Sequence, residues 1–310
     1  MSMILAAAAL WGLLGLFAVT LNAAGFDGQQ VAILRILCAA LLLVVVGARW
    51  LLRGVDLRVL AAQSPRLMLH GLIGVLGYNL CYFQAIDAVG VGMAVALLYT
   101  APLWALVFAV WFDGESVTGR GLVAALGALC GVVLLLGQTL STGTGAPAGV
   151  LFGLAAGLCY ALYPVLGRWL IARLGPDPVM ASGFILSALV LLLLPMTWQA
   201  LEGLAIHRGE WSIWGAVLAM GLFGTLLAYA LFTRGLRRIA ASRAALLTTV
   251  EPVVAMLGAV LWLGERFSAM QWGGVALILV SALLVAIPGR RRVSGSSPAD
   301  PSPDRPLPRG

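Results

Sequence analysis

Charge is what this sequence has least of. Only 10% of its 310 residues are Asp, Glu, Lys or Arg, while 62% are hydrophobic. A soluble domain carries about a quarter charged residues, so a chain this apolar has lipid as its solvent. Lysine is missing, and all 19 basic residues are arginine; with the excess of Ala, Gly and Leu this reads as codon bias. A net charge of +7 would suggest nucleic acid in a soluble protein. Here the arginines sit in short loops beside hydrophobic runs, so they report membrane orientation, and no nucleic-acid partner is expected. The four cysteines, Cys38, Cys81, Cys130 and Cys159, fall singly in apolar runs, which excludes a zinc ribbon and speaks against a disulfide framework. The two histidines, His70 and His207, lie in different segments and cannot form a metal site. There is no Walker motif, no HExxH, no pair of intramembrane aspartates and no convincing Ser/His pair, so neither catalysis nor a cofactor is expected. No cleavable signal is expected either: the run from Ser2 to Leu21 is too long, lacks a basic start and a small-residue cleavage site, and reads as a first span.

What is present is a series of long apolar runs. A bilayer core of about 30 Å asks for roughly 20 residues of helix. Ten runs meet this, at 2–21, 30–49, 66–86, 91–112, 119–137, 148–169, 178–197, 213–233, 243–263 and 270–288. The expected fold is an all-α membrane protein of ten transmembrane helices. With the N-terminus inside, the inner segments hold sixteen arginines, the outer loops hold Arg208 and Arg266, and Arg35 lies within a span. That bias predicts an inner (plasma) membrane protein with both termini cytoplasmic. Residues 289–310 open with Arg290, Arg291 and Arg292 and turn rich in Ser, Pro and Asp. They read as a disordered cytoplasmic tail whose arginines meet anionic headgroups.

The halves match at a shift of 150 residues. Ala94 to Leu97 falls on Ala244 to Leu247, Pro102 on Pro252, and Gly114-Glu115 on Gly264-Glu265. Near the start of each half Trp11 aligns beside Tyr160, one residue out of step. A unit of five spans is odd-numbered, so its second copy enters the membrane upside down. The expected arrangement is two inverted five-helix repeats, residues 1–140 and 147–288, a pattern associated with secondary transporters.

With Leu10-Trp11-Gly12, Leu34-Arg35-Ile36-Leu37, the stretch Ala240 to Leu247, Glu251-Pro252-Val253-Val254-Ala255 and Leu263-Gly264-Glu265, the chain resembles the EamA family of the drug/metabolite transporter superfamily over nearly all of residues 1–288. The resemblance implies export or exchange of amino acids, related metabolites or drugs through a cavity between the halves. The first half departs from it, because Thr100-Ala101-Pro102 has no acid before the proline.

Glu251 is the sharpest site candidate. An ionisable group at bilayer depth costs about 2.5 kcal/mol or more unless it faces a cavity or partner. Its carboxyl could take a substrate amine or a proton; the competing reading is a protonated side chain bonded within the bundle. Arg35 could pair with a substrate carboxylate or with Glu251, although the reading favoured for it is contact with outer headgroups or neighbouring carbonyls. Gly71, Gly74, Tyr78 and Tyr82 are spaced to share one helical face, with Asn79 beside them. Trp11, Tyr99, Tyr160, Tyr163 and Tyr229 also lie well inside spans. Singly each suits bundle packing; together they suit an aromatic cavity wall. Pro102 and Pro252 are candidate hinges, and Pro164 should bend span six. Gly127/Gly131 and Gly153/Gly157 should allow close helix contact, within a monomer or in a homodimer. Glu115 and Glu265 should cap helices.

The leading expectation is therefore a secondary transporter, an exporter, acting on a small-molecule substrate with protons as an optional coupling ion. A receptor or structural membrane protein is the alternative, with an intramembrane enzyme behind it.

Overall fold

The computed structural model describes residues 1–51, 57–113, 118–136, 147–264 and 266–286. Among these there is helix and no strand, as lipid requires of an open chain, because each backbone polar group must be satisfied within its own segment. Six helices are long and apolar enough to cross a membrane: Ser2–Ala23, Gly28–Val45, Ser64–Gly90, Pro147–Leu174, Trp211–Leu236 and Ala241–Trp262. Three shorter apolar helices accompany them, Met93–Phe108, Gly119–Leu134 and Ala269–Leu284. The calls on Glu115, Glu265 and the tail from 289 lie outside the described residues.

The run expected to be one span at 178–197 is broken. Helix Pro176–Leu191 meets helix Pro195–Ile206 at 91°. Leu194 is extended, at φ −96° and ψ 133°, a conformation favoured because the ring of Pro195 crowds helical backbone in the residue before it. The boundary expected between 86 and 91 is a sharp joint at Gly90, whose φ of +79° suits glycine alone. Two further breaks, at Tyr99-Thr100 and Thr249-Val250, precede the prolines. Pro102 and Pro252 are each the second residue of a fresh helix, α7 (Ala101–Asp113) and α15 (Glu251–Gly258). The expected proline bends are thus full interruptions, reinforced by Thr100, Thr248 and Thr249, whose hydroxyls donate to carbonyls three residues back and compete with the helical ladder. Pro164 causes no break; its helix runs on from Pro147 to Leu174.

Helix bounds recur at the sequence offset. Adding 150 to α8 (Gly119–Leu136) gives the range of α16 (Ala269–Ala286), and adding 150 to the start of α7 gives the start of α15. A π-helical turn at Leu72–Gly77 has its counterpart at Met220–Leu227. The equivalent helices α8 and α16 pack on each other and run antiparallel. Gly127 lies against Ser281, while Gly131, further along, lies against Ile278 and the earlier Gly274 carbonyl. Gly153 and Gly157 seat the helix of residues 147–174 on Leu97 and Thr100. Both glycine pairs therefore serve contacts inside the chain.

At one end of the bundle, Arg66 and Arg173 place their guanidinium groups 4.3 and 3.6 Å from the Trp169 ring. Arg234 pairs with Asp177 at 2.8 Å nearby in sequence to that ring's helix. Segments far apart in the chain thus bring their basic residues to a common end.

Candidate functional site

Midway along the helices is a cavity of about 30 Å³ with Trp11, Arg35, Tyr78, Tyr99 and Glu251 in its wall. Tyr160, Tyr229, Leu14 and Leu98 complete the lining. Its depth follows from the spans: Glu251 is eleventh of the 22 residues in Ala241–Trp262, and Tyr160 fourteenth of the 28 in Pro147–Leu174. The helix break before Glu251 puts the carboxyl at the first residue of α15 rather than in a regular turn. Gly12 lets the first helix come this close. A Cβ on Gly12 would stand 2.6 Å from the Glu251 carbonyl oxygen and 2.8 Å from Val254 Cβ.

Arg35 departs from the expectation of an arginine reaching outward to headgroups or to carbonyls. Its Nη2 donates to Asn79 Oδ1 at 3.0 Å and to the Tyr78 hydroxyl at 3.4 Å, which turns the guanidinium into the cavity. The π-helical turn explains why Tyr78 and Asn79 are available. Tyr78 N–H reaches back five residues to the Ile73 carbonyl, and Asn79 Nδ2 donates to the Val75 carbonyl at 2.7 Å. Asn79 therefore does not line the cavity; it holds Arg35 from behind. Insertions of this kind re-aim side chains in an otherwise regular helix.

The same turn splits the stripe expected on one face. Gly71 and Gly74 pack against Gly183 and Tyr163, Tyr78 lines the cavity, and Tyr82 stacks behind it at 6.4 Å. Tyr163 lies outside the cavity, with its ring 5.2 Å from Tyr229. All six tyrosines of the chain are in this one neighbourhood. Leu14 and Leu98 were not singled out from the sequence, since a leucine in a leucine-rich span carries no signal.

The arrangement is a half-buried cation and a half-buried acid sharing a small aromatic chamber. Charges at this depth are tolerated when they face a partner or a polar space. The volume accommodates about one or two waters, so a metabolite enters only if the helices part. A larger cavity, about 490 Å³, lies elsewhere, between Leu37, Leu41, Leu204, Trp211 and Trp214, and its lining is almost wholly apolar. Among the described residues no cluster of His, Cys, Asp and Glu could hold a metal ion.

Comparison with known proteins agrees with this picture. The EamA-like transporter family model matches residues 1–137 and 147–287. The inner membrane transporter YicL of Salmonella typhimurium is 28% identical over 93% of this chain and 95% of its own length. The threonine/homoserine exporter RhtA of Escherichia coli K12 is 27% identical over 82% of this chain and 80% of its own. A crystal structure of a protein 25% identical in sequence superposes with a TM-score of 0.71, covering 91% of this chain and 95% of that one. A multi-pass helical bundle, a charged midspan cavity and relatives that are transporters converge, and the chain belongs to the EamA-like transporter family.

Proposed function

We propose that this membrane transporter exports small zwitterionic metabolites, amino acids first among them, by alternating access at the Arg35–Glu251 cavity. The observation that carries the proposal is the pairing of opposite charges in one midspan chamber. Arg35 takes the carboxylate through N–H groups not used on Asn79 and Tyr78, since a guanidinium has five. Glu251 takes the ammonium, and Trp11, Tyr78, Tyr99, Tyr160 and Tyr229 supply apolar and cation–π wall. The Escherichia coli relative is a threonine/homoserine exporter, and both of those solutes are of this class.

Ten spans in two inverted halves are the frame of the proposal. Six long helices, one bent pair and three shorter apolar helices are compatible with that number, and the antiparallel pairing of α8 with α16 is what an inverted repeat would produce. The sixteen-to-two arginine bias supports a cytoplasmic position for both termini. The breaks before Pro102 and Pro252 are equivalent in the two halves and serve as hinges. A receptor would need none of this symmetry.

The test is counterflow into proteoliposomes across an amino-acid panel that includes L-threonine and L-homoserine. Saturable exchange of one or more zwitterions is expected. Well-folded protein with no exchange of any solute would favour a receptor. A second result follows from the wall. Tyr78→Ala should change the order of preferred solutes while leaving membrane insertion intact, and Tyr82→Ala, one layer back, should change it less. Identical profiles for both variants and the wild type would contradict the aromatic wall.

A further inference from the structure

We infer that a second binding station lies between the central cavity and the arginine-bearing end, where it takes the carboxylate of the solute before Arg35 does; this rests on the transport reading above. The space is small, about 10 Å³, and is bounded by Trp11, Tyr163, Pro164, Tyr229, Phe232 and Thr248. It shares Trp11 and Tyr229 with the central cavity. Ring contacts close it: Trp11 lies 4.9 Å from Tyr229 and 5.3 Å from Phe232, and Tyr163 lies 6.0 Å from Phe232.

Two polar atoms in this wall are buried and have no hydrogen-bond partner among the described residues, Trp11 Nε1 and the Tyr163 hydroxyl. The two side chains are 6% and 3% exposed. Buried donors are almost always bonded, so an unpartnered pair at one place needs a reason. An indole N–H can only donate, and a phenol donates readily. Thr248 already donates its hydroxyl to the Ala245 carbonyl at 2.8 Å. The two donors thus have no acceptor among the described residues, and a carboxylate oxygen is the acceptor a zwitterion brings.

Its location gives it a role in sequence. Tyr163 is one helical turn beyond Tyr160, on the way to Arg173, and its ring lies 4.5 Å from His70, four residues from Arg66. A solute arriving from that end meets the two neutral donors first. Neutral donors hold a carboxylate less strongly than a guanidinium, so the solute passes on to Arg35 instead of stopping. The opposite route reaches Arg35 without crossing this station.

Tyr163→Phe keeps the ring and deletes its donor, and Tyr163 lies outside the central cavity. Everted and right-side-out membrane vesicles present L-threonine to the arginine-bearing face and to the opposite face respectively. For this variant the half-saturating L-threonine concentration at the arginine-bearing face should rise about fivefold, with a change below about twofold at the other. L-Threoninol, which lacks the carboxylate, should show the same half-saturation in the variant and the wild type. Equal shifts at both faces would assign Tyr163 to the central cavity and overturn the station, as would no shift at either face. Absence of counterflow in the wild type would overturn the transport reading and this one with it.

Discussion

Glu251→Gln lowers L-threonine counterflow by about ten- to a hundredfold, the range expected when a hydrogen bond to a charged group is lost. Glutamine preserves the size of the side chain and its capacity to bond, so the helix break before α15 and the contact of Gly12 with the Glu251 backbone should persist. What disappears is the negative charge opposite Arg35. An ammonium entering the chamber then meets a guanidinium with no counter-charge, in a space where water screens little. If export is coupled to protons through this carboxyl, the wild-type rate varies with pH and the variant's residual rate does not. A variant that ran at the wild-type rate at every pH would remove the acid from the mechanism.

Gly131→Leu destabilises the folded protein by about 1–3 kcal/mol or more, the range for forcing extra volume into a packed contact. The reason is local. A Cβ at Gly131 would stand 2.9 Å from the Gly274 carbonyl oxygen and 2.7 Å from Ile278 Cγ1. Backbone cannot rotate out of the way, so α8 and α16 must separate. Because association of helices in lipid depends on close van der Waals contact, separation should loosen the junction of the two halves. Gly15→Ala is the control, as nothing lies within 4 Å of a Cβ there. The monodisperse fraction remaining after heating in detergent should fall for Gly131→Leu and hold for Gly15→Ala. Equal retention would show that the glycine seam does not hold the halves together.

Much of this molecule was legible in its residues because lipid leaves few options. Hydropathy located the apolar segments, and the 150-residue shift anticipated that α8 and α16 would match. Seven of the ten residues picked as candidates, Trp11, Arg35, Tyr78, Tyr99, Tyr160, Tyr229 and Glu251, share the cavity wall. They stood out because aromatic and charged side chains are rare at bilayer depth. The failures have a common origin in backbone irregularity. Periodicity assumes a constant 3.6 residues per turn, so it put Gly71 and Gly74 on the same face as Tyr78 and overlooked the π-helical turn at Leu72–Gly77. Mean hydropathy ignores a proline inside an apolar run, so Pro195 passed unnoticed and residues 178–197 were drawn as one span. Arg35 was assigned outward because its partner, Asn79, is 44 residues away and no local pattern links them.

The central claim is that equivalent segments of the two halves face opposite sides of the membrane, which is what sets a polar chamber midway between them. Gly119 and Ala269 stand at equivalent positions, 150 residues apart, at the start of α8 and α16, and both are exposed. Single cysteines introduced by Gly119→Cys and Ala269→Cys, in a background without the four native thiols, can be labelled with a membrane-impermeant maleimide. In everted vesicles position 119 should react and position 269 should not, with the reverse in right-side-out vesicles. Labelling of both positions from one face would contradict the inverted arrangement and the account of transport built on it.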